Sequence, residues 1–146
     1  MLDMSEPFED QPLGYLLSRV MFALKANVTA AVLDPLDVAF PEYLCMRVLA
    51  KFPGHSNADL ARALNVSPQA MNMVLRGLEE RRLVARPASV SSGRSLPAQL
   101  TREGGQLLER TDAGVRAAED RLMTNLSDEE RYEFKRVLAA LGSDPI

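Results

Sequence analysis

The stretch that most constrains this chain lies over positions 57–82, where two short helical patterns are separated only by Asn65 and Val66. Asn57 is placed to cap a helix over 58–64. Ser67-Pro68 then sets a capping hydroxyl directly before a proline at a first helical position, opening a second helix that reaches about Arg82. Helices joined this tightly cross steeply, so their facing sides need small or branched apolar residues and the turn needs a residue that tolerates positive φ. Leu60, Leu64, Val66, Met71 and Val74 supply the apolar faces, Ala61 the small side chain at the crossing, and Asn65 the turn. This is a helix-turn-helix pattern, although an ordinary helical hairpin packs by the same logic.

The next segment separates the two. Helical periodicity disappears over 83–100, where Ser89, Ser91, Ser92 and Gly93 divide two strand-like runs, 83–86 and 95–100, into a β-hairpin. A hairpin directly after the second helix, with Arg94 at its tip, forms a wing. Such a wing reaches the backbone or minor groove beside a helix lodged in the major groove. The combination points to double-stranded DNA.

The flanks read as helices. After Pro12, apolar residues recur at Leu13, Leu16, Leu17, Val20, Leu24, Val28, Ala31 and Val32, one helical face ending near Asp34-Pro35. A shorter helix over 41–51 carries Tyr43, Leu44, Val48 and Leu49, and Phe52-Pro53-Gly54 closes it. Beyond the wing, Thr101 caps a fifth helix with Leu107, Leu108, Val115, Ala118 and Leu122 on its apolar face. Ser127 and Glu130 form a capping box for a sixth, which carries Phe134, Val137, Leu138 and Leu141. The expected fold is mainly α, in the order α-α-α-α-β-β-α-α.

Composition narrows the function. The net charge of -3 is uneven: six arginines against three carboxylates leave 57–101 at +3, and the remainder carries -6. A basic middle with acidic ends suits a chain that meets phosphate with one face. One cysteine excludes an internal disulfide, and one Cys with one His cannot build a zinc site, so no metal or cofactor is expected. There is no Gly-rich phosphate loop, and Cys45 has only the distant His55 as a base, so the chain is not read as an enzyme. Residues 1–11 are acidic and polar, and no run approaches the roughly 18 uninterrupted apolar residues of a membrane span. A cytoplasmic protein without membrane association is expected.

The runs Asn57-Ala-Asp-Leu-Ala-Arg-Ala-Leu-Asn-Val-Ser-Pro-Gln-Ala-Met, Leu78-Glu-Glu-Arg-Arg-Leu-Val-Ala-Arg, Gly93-Arg94 and Leu100-Thr-Arg-Glu-Gly104 resemble the MarR family of bacterial regulators, over nearly the whole chain. The resemblance implies a homodimer built from the first, fifth and sixth helices. It also implies release of DNA by a small, often aromatic or anionic, effector or by an oxidant. It suggests a single domain over 12–142, with a winged lobe over 36–101 and dimerisation helices over 12–35 and 102–142. Two departures stand out: Ser92 replaces the family's usual acidic brace of the wing arginine, and Arg82 replaces the glycine that usually ends the recognition helix.

Residues at the start of a recognition helix face base edges, which nominates Ser67, Gln69, Ala70, Asn72, Met73 and Arg76, with Arg86 and Arg94 for the backbone and minor groove. Asn72 suits adenine or a phosphate. Arg86 suits a phosphate or a pairing with Glu79 or Glu80. Leu13, Leu16, Leu17 and Val20 with Phe134, Val137, Leu138 and Leu141 are the candidate dimer core. Tyr15, Arg19, Phe40, Tyr43 and His55 are candidates for an effector cleft, which mixes aromatics with a few polar groups. The expected function is a sequence-specific repressor on a pseudo-palindromic operator. The alternatives are a winged-helix protein-interaction module without DNA binding, or a redox-sensing regulator acting through Cys45.

Overall fold

A computed structural model of the chain describes residues 6–86 and 97–142. After a short 3-10 turn at Phe8–Asp10, α1 (Leu13–Val28) runs through a π-helical turn, Thr29–Leu33, into α2 (Asp34–Leu36). The other elements are α3 (Phe40–Lys51), α4 (Asn57–Leu64), α5 (Pro68–Glu80), β1 (Val84–Ala85), β2 (Gln99–Leu100), α6 (Arg102–Leu122) and α7 (Asp128–Leu141). The strands pair antiparallel, Val84 opposite Leu100 and Ala85 opposite Gln99. These pairs form the base of the expected hairpin. Its tip, with Ser92, Gly93 and Arg94, lies outside the described residues.

Four helix starts, those of α4 to α7, carry a side-chain cap. Ser67, Thr101 and Ser127 each accept a backbone N–H from three residues on, as the sequence indicates. The α4 cap differs from expectation: Ser56, not Asn57, caps the helix, and Asp59 reaches back to the Ser56 N–H to complete a capping box. Asn57 thereby becomes the first helical residue, with its side chain free for other work.

Three helix ends share one device. Asp37, Asn65 and Arg82 have φ of 55°, 54° and 60°, and the residue after each donates to the carbonyl five back: Val38 to Leu33 (2.9 Å), Val66 to Ala61 (3.0 Å), Leu83 to Leu78 (2.9 Å). These are Schellman closures, in which a left-handed residue lets the last carbonyls find donors. Arg82 therefore accepts the left-handed geometry that glycine would take without strain.

The core gathers around α3. Cys45, Met46 and Leu49 pack with Leu60 of α4, Met71, Leu75 and Leu78 of α5, and Leu108 of α6. Leu64 and Val74 border this core, but Val66 is 37% exposed, so it does not join the helix pair as its apolar character suggests. Two close approaches require glycine. A Cβ on Gly104 would stand 2.1 Å from the Leu83 carbonyl oxygen, and one on Gly114 would stand 2.7 Å from Val32 Cγ1. Gly104 thus lets the start of α6 sit against the wing base, and Gly114 lets the end of the first helix cross α6.

The periphery is less covered. By length and composition, the continuous helix Leu13–Leu36 would pass for a membrane span, which the count of uninterrupted apolar residues does not register because Arg19 and Lys25 divide it. Val28, Val32 and Leu33 are sealed in the core, whereas Leu13, Met21 and Phe22 face outward. No residue of α7 is buried.

Candidate nucleic-acid interface

Helix α5 presents a polar face that begins at its capped N-terminus. Ser67 Oγ accepts from the Ala70 N–H at 3.1 Å and Pro68 occupies the first turn. Gln69, Asn72, Met73 and Arg76 are exposed along this face, Met73 to 74%, while Ala70 is half-buried where α5 meets its neighbours. On the opposite side Met71, Leu75 and Leu78 are sealed in the core. The helix is therefore anchored on one face and free on the other, as a groove-reading element must be.

The wing base locks onto the end of α5. Thr101 Oγ1 donates to the Arg82 carbonyl at 2.7 Å and accepts from the Gly104 N–H at 3.0 Å, and the Thr101 N–H donates to the Leu83 carbonyl at 3.0 Å. One threonine thus ties helix end, strand and the start of α6 together, which gives the Leu100-Thr-x-x-Gly104 run a physical meaning.

The arginines of the basic middle are unequally engaged. Arg62 pairs with Asp59, whose carboxyl is held below its usual range first by the hydrogen bonds from Ser56. Arg81 turns backward, donating to the Asp37 carbonyl and lying 3.8 Å from Glu42. Arg86 takes the internal option: its Nε donates to Glu79 Oε1 at 2.7 Å and its Nη2 to Asn57 Oδ1 at 3.1 Å. Arg76 and Arg82 form no ion pair among the described residues.

Asn57 was no candidate for the interface, yet it connects the two sides of it. Its Nδ2 donates to Asn72 Oδ1 at 2.8 Å. The sequence did carry a signal: Ser56 with Asp59 three positions on is a capping box, which releases Asn57 from capping duty.

The effector candidates take part in local contacts. Arg19 lies over the Tyr15 ring on α1, Phe40 packs edge-on to Tyr43, and His55 stacks on Phe52 at 4.9 Å with its Nε2 buried and unpartnered. Of the five, Tyr43 borders a polar cavity of about 200 Å³ with Arg47, Asp112, Arg116, Glu119 and Lys135. Its hydroxyl donates to Asp112 Oδ1 at 2.8 Å, and burial, with that bond, raises its pKa. Arg47 Nη1 donates to the other Asp112 oxygen at 3.2 Å, so α3 and α6 are bridged by a polar latch.

Cys45 lacks the features of a sensor. It is fully buried, and desolvation pushes its thiol up to about 12, so the reactive thiolate is suppressed.

The dimer candidates line an apolar surface. Leu13, Val20, Phe134, Val137, Leu138 and Leu141 are exposed, and Leu16 and Leu17 are half-covered. Leu17, Val20, Phe134 and Leu138 also border an apolar groove of about 220 Å³ between α1, α6 and α7.

Comparison with known proteins agrees with this geometry. A family model described as "MarR family" matches residues 36–95. The "HTH-type transcriptional repressor Rv2887" of Mycobacterium tuberculosis is 55% identical over 136 residues, covering 93% of this chain and 97% of that protein. Its crystal structure in complex with DNA matches with a TM-score of 0.80 and 49% identity, over 92% of this chain and 100% of that one. The complex of Rv2887 with salicylic acid matches with a TM-score of 0.78 and 54% identity, over 93% and 100%. With a relative this similar across almost the full length of both sequences, and with the same helices and wing base in place, the chain belongs to the MarR family.

Proposed function

We propose that this chain is a transcriptional repressor that binds a pseudo-palindromic operator as a homodimer, each subunit lodging α5 in the major groove. The observation that carries the reading is the one-sided anchoring of α5. Its apolar face is sealed, while Ser67, Gln69, Asn72, Met73 and Arg76 are exposed on the other side. In this reading Ser67 and the free N–H groups of the first turn meet phosphate, Ala70, whose own N–H is taken by the Ser67 cap, packs close to the groove, Gln69 and Asn72 meet base edges, and Arg76 meets the backbone. Arg94, outside the described residues, enters the adjacent minor groove, and Arg86 acts as a brace rather than a direct contact. The relative Rv2887, crystallised with DNA, supports this assignment.

Dimerisation is supported by α7. Phe134, Val137, Leu138 and Leu141 stay 38–68% exposed and no residue of α7 is buried, so the helix leaves apolar area that a second subunit can cover. Residues 12–35 and 102–142 thus form the dimer base and residues 36–101 the reading lobe, acting in the cytoplasm on chromosomal DNA. Rv2887 has also been crystallised with salicylic acid, an aromatic anion of the class expected for an effector here.

Fluorescence anisotropy on duplex DNA from upstream of the chain's own gene, over a series of salt concentrations, tests the reading. Affinity should fall steeply with salt, since each neutralised phosphate releases counterions. Added salicylate should displace the protein. Weak binding that ignores salt would refute DNA recognition and favour a protein-docking role for the winged lobe.

A further inference from the structure

We infer that Asn57 and Arg86, neither of which need touch a base, fix which end of the Asn72 amide faces the groove, so that Asn72 selects a keto base over an amino base. The inference rests on the DNA-reading role of α5 proposed above.

The argument follows hydrogen-bond polarity along a chain of contacts. Arg86 is anchored by its Nε to Glu79 Oε1 at 2.7 Å, and a guanidinium only donates. The Asn57 atom that faces Arg86 Nη2 at 3.1 Å must therefore be the amide oxygen. That leaves the Asn57 nitrogen directed at Asn72, so the Asn72 atom 2.8 Å away must in turn be its oxygen. The Asn72 NH2 is the end left for the groove. Reversing Asn72 would set two NH2 groups against each other, and reversing Asn57 would set its NH2 against the guanidinium.

An amide ordinarily reads adenine with both ends, accepting from N6 and donating to N7. With its oxygen engaged by Asn57, Asn72 is biased to donate. At the exocyclic position in the major groove guanine O6 and thymine O4 accept, whereas adenine N6 and cytosine N4 donate; N7 accepts in both purines and so does not tell them apart. Residue type alone allows Asn72 adenine or a phosphate; an NH2 held at the exocyclic position favours guanine or thymine there over adenine or cytosine.

Asn57→Asp inverts the relay without lengthening any side chain. One carboxylate oxygen still accepts from Arg86, the other now faces Asn72, and Asn72 turns its NH2 inward and its oxygen toward the groove. The test begins with a randomised duplex pool enriched on the wild-type protein. Competition with every single-base-pair variant of the enriched site then follows for wild type, Asn57→Asp and Asn57→Ala.

Asn57→Asp should shift relative affinity roughly five- to tenfold from a keto to an amino base at one base pair per half-site. The added negative charge lowers affinity for all duplexes alike and leaves the other positions ranked as before. Asn57→Ala should flatten discrimination at that same base pair only, which decides the matter if the aspartate variant is too weak to measure. Either variant binding with wild-type discrimination at every position overturns the inference. Wild-type protein that enriches no duplex would instead remove the DNA-binding reading itself.

Discussion

Arg82→Gly should stabilise the protein. Arg82 holds φ of 60° at the end of the recognition helix, and the Schellman closure there needs that geometry. A left-handed conformation costs a residue with a Cβ roughly 1–2 kcal/mol. Glycine removes that strain, but its wider freedom in the unfolded chain offsets about 0.4–1 kcal/mol. The difference is a gain of between about 0 and 1.6 kcal/mol, near 0.8 kcal/mol at the midpoints. Little else changes: the Arg82 side chain is exposed and makes no hydrogen bond or ion pair among the described residues, and the carbonyl that accepts from Thr101 Oγ1 remains.

Urea denaturation at one fixed protein concentration measures the gain as a higher midpoint with an unchanged slope. Asn65→Gly, at φ 54° in the turn between α4 and α5, serves as the internal control. Asparagine visits the left-handed region readily, so its replacement should change stability by much less. A destabilised Arg82→Gly, or an Asn65→Gly gain as large, would refute the strain argument.

Gly104→Ala should lose about 2–3 kcal/mol in the same assay, because the new Cβ falls 2.1 Å from the Leu83 carbonyl oxygen; a neutral result would mean that the wing base yields freely. Alkaline stability should decline. Burial raises both the Cys45 thiol and the Tyr43 hydroxyl, so the unfolded chain releases these protons first and stability falls as pH climbs from 9 towards 12. A flat denaturation profile over that window would contradict the burial of both groups. Arg76→Ala should weaken binding to all duplexes and reduce the salt slope by about 1, whereas Gln69→Ala should chiefly relax preference at single base pairs. Interchanged effects, read by anisotropy on matched duplexes, would reverse those two assignments.

Much of the fold is legible in the sequence because local chemistry and tertiary packing agree. Ser67-Pro68, Thr101 and Ser127 cap helices as local rules require, and Asn65 sits at the turn for the reason its side chain suggests. Ser56 and Asn57 show the limit. Two capping residues stand side by side, and only the reciprocal bond from Asp59 decides between them.

The site divides in the same way. The exposed face of α5 follows from helical periodicity, but the Glu79–Arg86–Asn57–Asn72 chain joins residues from two helices and the wing base, and sequence spacing does not reveal it. The effector candidates Tyr15, Arg19, Phe40, Tyr43 and His55 rest on residue type alone, which does not foretell that Tyr15 pairs with Arg19, Phe40 with Tyr43 and His55 with Phe52.

The most direct test of the central claim is a hydroxyl-radical footprint of the protein on the DNA upstream of its own gene. A homodimer with one α5 in each of two successive major grooves should protect two patches on one face of the duplex, about 34 Å apart, related by a two-fold axis. Uniform or absent protection at concentrations that saturate the duplex would contradict it, as would a single patch.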